Sequence, residues 1–241
     1  MEMKRIERVL QAMESKGLTQ MIVCDPQSID YLTGVYIEPF ERLFALYLRT
    51  DGQHILFLNK LFTVPKTPIA EVWFTDTDDF IGMMAQHIQA GEPLGIDKEW
   101  TARFLLPLME RLPDTTCKLA SDCVDSVRAC KDQAERELMR MNSRLNDEVM
   151  TRAVAYIQEG MTEQQVADYL LAQFKDLGCE GPSFSPIVSF GANAADPHHT
   201  PDDTVLQAGD CIVLDIGGRK EGYCSDMTRT YFCKKVSDKH A

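Results

Sequence analysis

The sequence predicts an α/β domain followed by a region in which two long helices precede several strands. Three observations support this. Short apolar runs alternate with amphipathic segments over residues 1–120. The stretch 131–158 is helix-forming throughout and contains no proline. Beyond Gly178, a loop rich in glycine and proline leads into strand-like runs. We place the boundary near residues 120–130 and expect domains at 1–122 and 123–241.

The first domain opens with a helix, because its apolar residues Ile6, Val9, Leu10 and Met13 recur at helical spacing. Asp51-Gly52, between two apolar runs, is typical of a hairpin turn. The predicted strands are 21–24, 43–48, 54–58, 72–75, 93–96 and 116–119, and the other predicted helices are 28–34, 78–89 and 101–111.

The second region begins with the helix over 131–158, which Gly160 terminates. Thr162 and Gln165 form the sequence pattern of a capping box and predict a further helix that runs to about Leu177. Strands are expected at 186–190, 211–216 and 223–232.

Composition narrows the classes of function. Hydrophobic residues make up 44% of the chain and charged residues 26%, as in folded globular proteins. The net charge of −12 disfavours nucleic acid and anionic membranes as partners, and suits a divalent cation. The N-terminal segment lacks the apolar core of a secretion signal, so we expect a cytoplasmic protein. None of the eight cysteines has C-x-x-C spacing, which favours reduced thiols over disulfides or a zinc cluster.

Two aspartates are the first candidates for chemistry. Asp215 ends an apolar run, where an unpaired carboxylate is costly to bury. Glycines between Asp215 and Asp226 permit a chain reversal that pairs the two segments. The pair could hold a hard cation or share a proton. Alternatively, each aspartate could have a structural role, capping a turn or pairing with Arg219 or Arg229.

A second candidate is the loop Pro197-His198-His199-Thr200-Pro201. Its two imidazoles, held on a backbone stiffened by prolines, could shuttle protons or bind metal. The alternative is a pair of exposed loop histidines without a role in chemistry.

Three ordered motifs in this region resemble one family. They are F-x-P-I-V-x-x-G-x-N-A-A-x-P-H from Phe184, G-D-x-x-x-x-D-x-G from Gly209, and G-Y-x-S-D-x-T-R-T from Gly222. These motifs resemble the pita-bread metallopeptidases, and residues 1–120, with Tyr31-Leu-Thr-Gly34, resemble their creatinase-like N-terminal domain. That extension favours the Xaa-Pro dipeptidase/aminopeptidase P branch. The resemblance implies an α/β N-terminal domain followed by part of an α+β pita-bread domain.

The resemblance also implies residue roles. Asp215 matches a ligand of one metal ion, Asp226 matches the ligand that bridges two ions, and His198 matches the histidine that faces the substrate. Thr228 could support the geometry of the bridging aspartate. The expected cofactor is two divalent ions, Mn²⁺ first because the donors are mostly oxygen, with Co²⁺ or Zn²⁺ as alternatives. The expected substrates are peptides with proline in second position, and the expected full-length assembly is a homodimer.

The family completes its site with one histidine and two glutamates from a following half. His240 lies too close to Asp226 to match that histidine. We therefore expect this chain to be an N-terminal portion with part of the metal site, inactive by itself. Two alternatives are a metal-free creatinase-type C–N hydrolase and a non-enzymatic binding protein of the same fold.

Overall fold

A computed structural model describes residues 3–236, so His240 lies outside the described part. The chain divides into two compact units, unit 1 at Met1–Lys131 and unit 2 at Asp132–Ala241. No helix among the described residues is long and apolar enough to cross a membrane. All eight cysteines are free thiols, and only Cys123 and Cys233 are buried.

Unit 1 is a six-stranded mixed sheet with helices on both faces. The strand order is β4-β3-β2-β1-β5-β6, and β1 is antiparallel to β2 but parallel to β5. The strands are β1 Gln20–Val23, β2 Ala45–Arg49, β3 Ile55–Asn59, β4 Ala70–Phe74, β5 Leu94–Ile96 and β6 Cys117–Leu119. The helices are α1 Met3–Ser15, α2 Pro26–Thr33, α3 Phe80–Ala85, α4 Ala102–Arg111 and α5 Ser121–Ala129.

Two separate apolar clusters cover the two faces of this sheet, because successive strand residues point to opposite sides. Met21 and Val23 pack with α1, α2 and α5 in one cluster. Ile22 packs with α3 and α4 in the other. The arrangement is the predicted α/β domain.

The end of unit 1 differs from the expected domain boundary. A boundary between residues 122 and 123 would cut through α5, a helix that the sequence pattern does not predict. Val124 and Val127 of α5 are buried in the cluster that also contains Val9 and Met13 of α1. The helix is therefore part of the unit 1 core, and the division falls after Lys131.

Unit 2 packs two long helices against small antiparallel sheets. The elements are α6 Gln133–Tyr156, α7 Glu163–Asp176, β7 Gly181–Pro182, β8 Ile187–Phe190, a 3-10 helix Gly191–Ala195, β9 Cys211–Ile216, β10 Gly218–Lys220, β11 Tyr223–Cys224 and β12 Met227–Phe232. Both helices begin with a capping box, Asp132 with Glu135 and Thr162 with Gln165, and the second of these was predicted.

Two three-stranded sheets replace the single run of strands expected at the end of the chain. One has the order β12-β9-β8 and the other β11-β10-β7. The strand expected over 223–232 is divided, because the chain leaves the second sheet after Cys224 and joins the first at Met227. Asp226 lies in this crossing.

Candidate metal centre

The site is built on β9, the central strand of the sheet β12-β9-β8. Residues of β9 alternate between two faces. Ile212, Leu214 and Ile216 are buried in the cluster formed with α6 and α7. Alternation therefore directs Val213 and Asp215 to the face that does not meet the helices. The fold thus turns one carboxylate away from the apolar core.

Asp226 comes to the same region through the pairing of β9 with β12. The two strands are antiparallel, and Thr228 lies directly opposite Asp215. Asp226 immediately precedes β12 and is two residues before Thr228. Asp226 is therefore close along the chain to the residue that pairs with Asp215, although it lies outside the strand itself. Thr228 is a direct cross-strand neighbour of Asp215.

The Asp215 side chain has an unusual hydrogen-bonding state. Its Oδ1 is buried and has no hydrogen-bond partner among the described residues. The arginines that could have paired with it are used elsewhere: Arg219 Nε lies 3.4 Å from Glu180 Oε2, and Arg229 donates to the Thr228 carbonyl at 2.8 Å. Since buried oxygen atoms are nearly always paired, this atom fits a divalent cation that would be its partner.

Two glycines allow the backbone between the aspartates to cross. A Cβ on Gly217 would lie 2.1 Å from the Ser225 carbonyl oxygen, and one on Gly218 would lie 2.6 Å from the Phe174 ring. The Ser183 hydroxyl contacts the carbonyls of both Gly218 and Ser225, at 2.9 and 2.8 Å. The crossing is therefore close-packed and leaves little freedom in the positions of Asp215 and Asp226.

Helix α6 fixes the other side of this crossing. Asn146 Nδ2 donates to the Ile216 carbonyl at 3.1 Å, and Asn142 Nδ2 donates to the Lys220 carbonyl at 3.1 Å. The Tyr223 hydroxyl hydrogen-bonds to Glu135 Oε1 at 2.7 Å. These side chains join a rigid helix to the strands that carry the aspartates.

His198 lies on the loop that leads from β8 to β9. Its side chain is exposed, and its backbone N–H donates to Asp196 Oδ1 at 2.9 Å. Since β8 and β12 flank β9, all three predicted site residues belong to the elements of one sheet or their connections.

The neighbouring His199 has a different environment. Its Nε2 lies 2.6 Å from Oε2 of Glu163, whose side chain is fully buried. The ligand atoms of Glu163, His199 and Asp202 lie within 4.8 Å of one another, and the group does not include Asp215 or Asp226. Hydrogen bonds from the Thr204 side chain and amide lower the pKa of Asp202.

The sequence reading missed Glu163 and Asp202. Glu163 is the first residue of α7, where an acidic residue is expected simply because it stabilises the helix N-terminus. No spacing in the sequence connects it to His199, 36 residues away.

Family models divide the chain at nearly the same place as the fold. Residues 5–130, more than half of the chain, match the Creatinase/Prolidase N-terminal domain, and residues 137–241 match Metallopeptidase family M24. The chain belongs to the family of the Creatinase/Prolidase N-terminal domain, and its second unit matches metallopeptidase family M24. This confirms the predicted family and fold class, a creatinase-like N-terminal domain followed by part of the metallopeptidase domain.

Individual relatives agree with these two matches. A dipeptidase PepE from Mycobacterium ulcerans is 30% identical with a TM-score of 0.89, over 98% of this chain and 66% of that one. A prolidase from Thermococcus sibiricus is 26% identical with a TM-score of 0.88, over 100% and 68%. An uncharacterized peptidase of Staphylococcus aureus is 28% identical in an alignment of 239 positions that covers 95% of this chain and 66% of the relative. The chain thus spans about two thirds of the length of these relatives.

Proposed function

We propose that the protein containing this chain is a metal-dependent Xaa-Pro peptidase of the proline dipeptidase or aminopeptidase P type. It would hydrolyse the peptide bond that precedes proline. The observation that carries the proposal is the buried Oδ1 of Asp215, which has no hydrogen-bond partner within residues 3–236 and lies on a strand paired with the segment that follows Asp226. The similarity to a prolidase and a dipeptidase supports the choice of substrate.

Each site residue has a proposed role. Asp215 would hold one divalent ion, Asp226 would contribute to holding both ions, and Thr228 would support them from the adjacent strand position. Mn²⁺ is our first choice, since carboxylate oxygens are hard ligands, with Co²⁺ or Zn²⁺ as alternatives. When bound, the ions supply an activated water and polarise the scissile carbonyl. His198, exposed on its loop, donates a hydrogen bond to the oxyanion that develops on the substrate.

The proposed assembly and substrates follow the family pattern. Substrates are peptides with proline in second position, and the complete protein is a homodimer. Residence in the cytoplasm stays a prediction. Two carboxylates satisfy only part of two coordination spheres, so we expect the 241-residue chain by itself to bind metal weakly and to show no appreciable hydrolysis.

Metal binding by the chain is tested with Mn²⁺ alone, by electron paramagnetic resonance of the free ion. We expect weak binding that Asp215→Asn and Asp226→Asn each reduce. Asp97→Asn, in unit 1, is the matched control and should bind Mn²⁺ as the wild type does. Equal Mn²⁺ binding by all three variants would mean that the two unit 2 aspartates are not ligands.

Hydrolysis is tested on Gly-Pro, an Xaa-Pro-Xaa tripeptide and Gly-Ala, with Mn²⁺, using the chain and the longest natural protein that contains it. We expect proline-selective hydrolysis by the longer protein, abolished by Asp226→Asn. Hydrolysis of a non-peptide C–N bond without metal would favour the creatinase-type alternative, and metal binding without hydrolysis would favour a binding protein. Robust turnover by the 241-residue chain would show that our account of incomplete ligation is wrong.

A further inference from the structure

The buried carboxylate of Glu163 has more hydrogen-bond partners than helix capping requires. Oε1 accepts from the Phe190 amide at 2.7 Å and from Asn193 Nδ2 at 3.1 Å. Oε2 accepts from the Asp202 amide at 3.2 Å and lies 2.6 Å from His199 Nε2. A carboxyl group buried to this degree is tolerated only when its oxygens are hydrogen-bonded, as they are here.

All four partners belong to one stretch of chain, and they bracket His198. Phe190 and Asn193 precede it, while His199 and Asp202 follow it. The buried carboxylate of Glu163 therefore contacts the chain on both sides of the exposed His198. A loop is ordinarily the mobile part of a fold, and anchors on both sides reduce that mobility.

Backbone contacts bind the same loop to the first turn of α7. The Glu163 amide donates to the Thr204 carbonyl at 3.2 Å, and the Gln164 amide donates to the Asp202 carbonyl at 3.1 Å. Asn193 Nδ2 also reaches Thr204 Oγ1 at 3.1 Å. The free amides at the N-terminus of α7 therefore hold the loop.

The packing of α7 does not depend on this carboxylate. Val166, Leu170 and Phe174 face the unit 2 core and are buried there. The contacts of Glu163 go instead to the loop. Loss of the carboxylate should therefore disturb the loop more than the helix.

We propose that Glu163 is a positioning residue, which acts through His199 and Asn193 to hold the loop that presents His198 to the site of Asp215 and Asp226. For its effect on catalysis the inference rests on the proposed function. Since a carboxylate only accepts, this contact requires a proton on His199 Nε2. Glutamine at position 163 would place an amide donor there and favour the opposite tautomer.

The positional claim can be tested on the 241-residue chain without activity, by ¹⁵N NMR of histidine-labelled protein. In the wild type we expect the His199 Nε2 signal of a protonated nitrogen. In Glu163→Gln the Nε2 signal should shift to that of an unprotonated nitrogen, and the amide of His198 should exchange faster with solvent. Glu180→Gln, which removes an exposed carboxylate of the same unit, is the control and should change neither signal. Unchanged His199 and His198 signals in a folded Glu163→Gln variant would overturn the proposal.

The catalytic claim is tested by Xaa-Pro hydrolysis in the longest natural protein that contains the chain. Loss of an orienting partner typically costs about 10- to 100-fold, so we expect Glu163→Gln to lower kcat by that factor with KM nearly unchanged. If the wild type hydrolyses Xaa-Pro and Glu163→Gln has the same kcat, positioning is wrong and the proposed function stands. If the wild type has no activity, the proposed function fails, while the NMR result still decides whether Glu163 positions the loop.

The three side chains could instead form a metal site of their own. Addition of Co²⁺ to the chain, monitored by the visible absorption of the ion, distinguishes a metal site from the hydrogen-bonded arrangement. Stoichiometric binding that disappears in Asp202→Ala would overturn the hydrogen-bonded arrangement. Absence of such binding supports it.

Discussion

Asp97 in unit 1 and Asp215 in unit 2 occupy similar places in the sequence but differ in their surroundings. Each ends an apolar run, one in β5 and the other in β9. The carboxylate of Asp97 accepts three backbone N–H groups, from Cys24 at 2.5 Å, Asp25 at 2.8 Å and Glu99 at 3.1 Å. Asp215, by contrast, has a buried oxygen atom with no partner among the described residues.

The difference separates a structural carboxylate from one available for function. Asp97 joins the ends of two parallel strands, β1 and β5, and its hydrogen bonds are internal to the fold. Asp215 Oδ1 makes no such bond to any residue that the structure describes, so this oxygen remains available to a ligand. Residues that break a rule of polar satisfaction without compensation are expected at functional sites.

The largest expected effect concerns the extent of unit 1. A chain of residues 1–131 should unfold cooperatively, whereas a chain of residues 1–122 should be largely unfolded. The shorter chain loses Val124 and Val127 from the core, and burial of two valines stabilises by roughly 3–6 kcal/mol, comparable to the whole stability of a small domain. Urea unfolding followed by circular dichroism measures this. Equal midpoints for the two chains would mean that α5 is dispensable for the fold.

The next effect compares the two aspartates directly. Asp97→Ala should lower the free energy of unfolding by about 2–4 kcal/mol, since it leaves buried backbone donors without an acceptor. Asp215→Ala should change it by less than about 0.5 kcal/mol, or raise it, because Oδ1 has no hydrogen bond to another described residue that the substitution would remove. Denaturant unfolding of both variants in metal-free buffer gives the comparison. Similar losses of unfolding free energy in the two variants would mean that Asp97 and Asp215 do not differ in their contribution to stability.

The smallest effect is a dependence on pH. Burial raises the pKa of Asp97 to about 6, against the opposing effect of its backbone donors. This value lies above the unfolded-state pKa of about 3.9, so the folded protein binds more protons between these values and loses stability as pH rises through them. Relative to Asp97→Asn, which cannot titrate, the wild type should lose up to roughly 3 kcal/mol from pH 4 to pH 7. If the difference in unfolding free energy between the wild type and Asp97→Asn is constant across this pH range, the predicted titration of Asp97 is wrong.

The comparison of Asp97 with Asp215 also shows how much of the fold and of the site can be predicted from the sequence. Periodicity predicts most elements because local spacing determines which face is apolar. The same local information cannot distinguish Asp97 from Asp215, since each is an aspartate after an apolar run. The motifs around Asp215 provided the distinction. Helix α5 and the role of Glu163 were not predicted, because each depends on a partner far along the chain. The partner is α1 for the helix and His199 for the glutamate.

Gly217 has a consequence for the interpretation of mutational tolerance at this site. Its backbone passes so close to the Ser225 carbonyl that the first atom of any side chain would overlap with it. In a saturation screen, every replacement at this position should therefore score as badly as replacement of a metal ligand, although glycine has no side chain that could bind an ion. Intolerance to substitution beside Asp215 thus measures the space between two backbone segments as much as it measures chemistry. A list of essential positions taken from such a screen would therefore include glycines whose only role is to let two backbone segments lie close together.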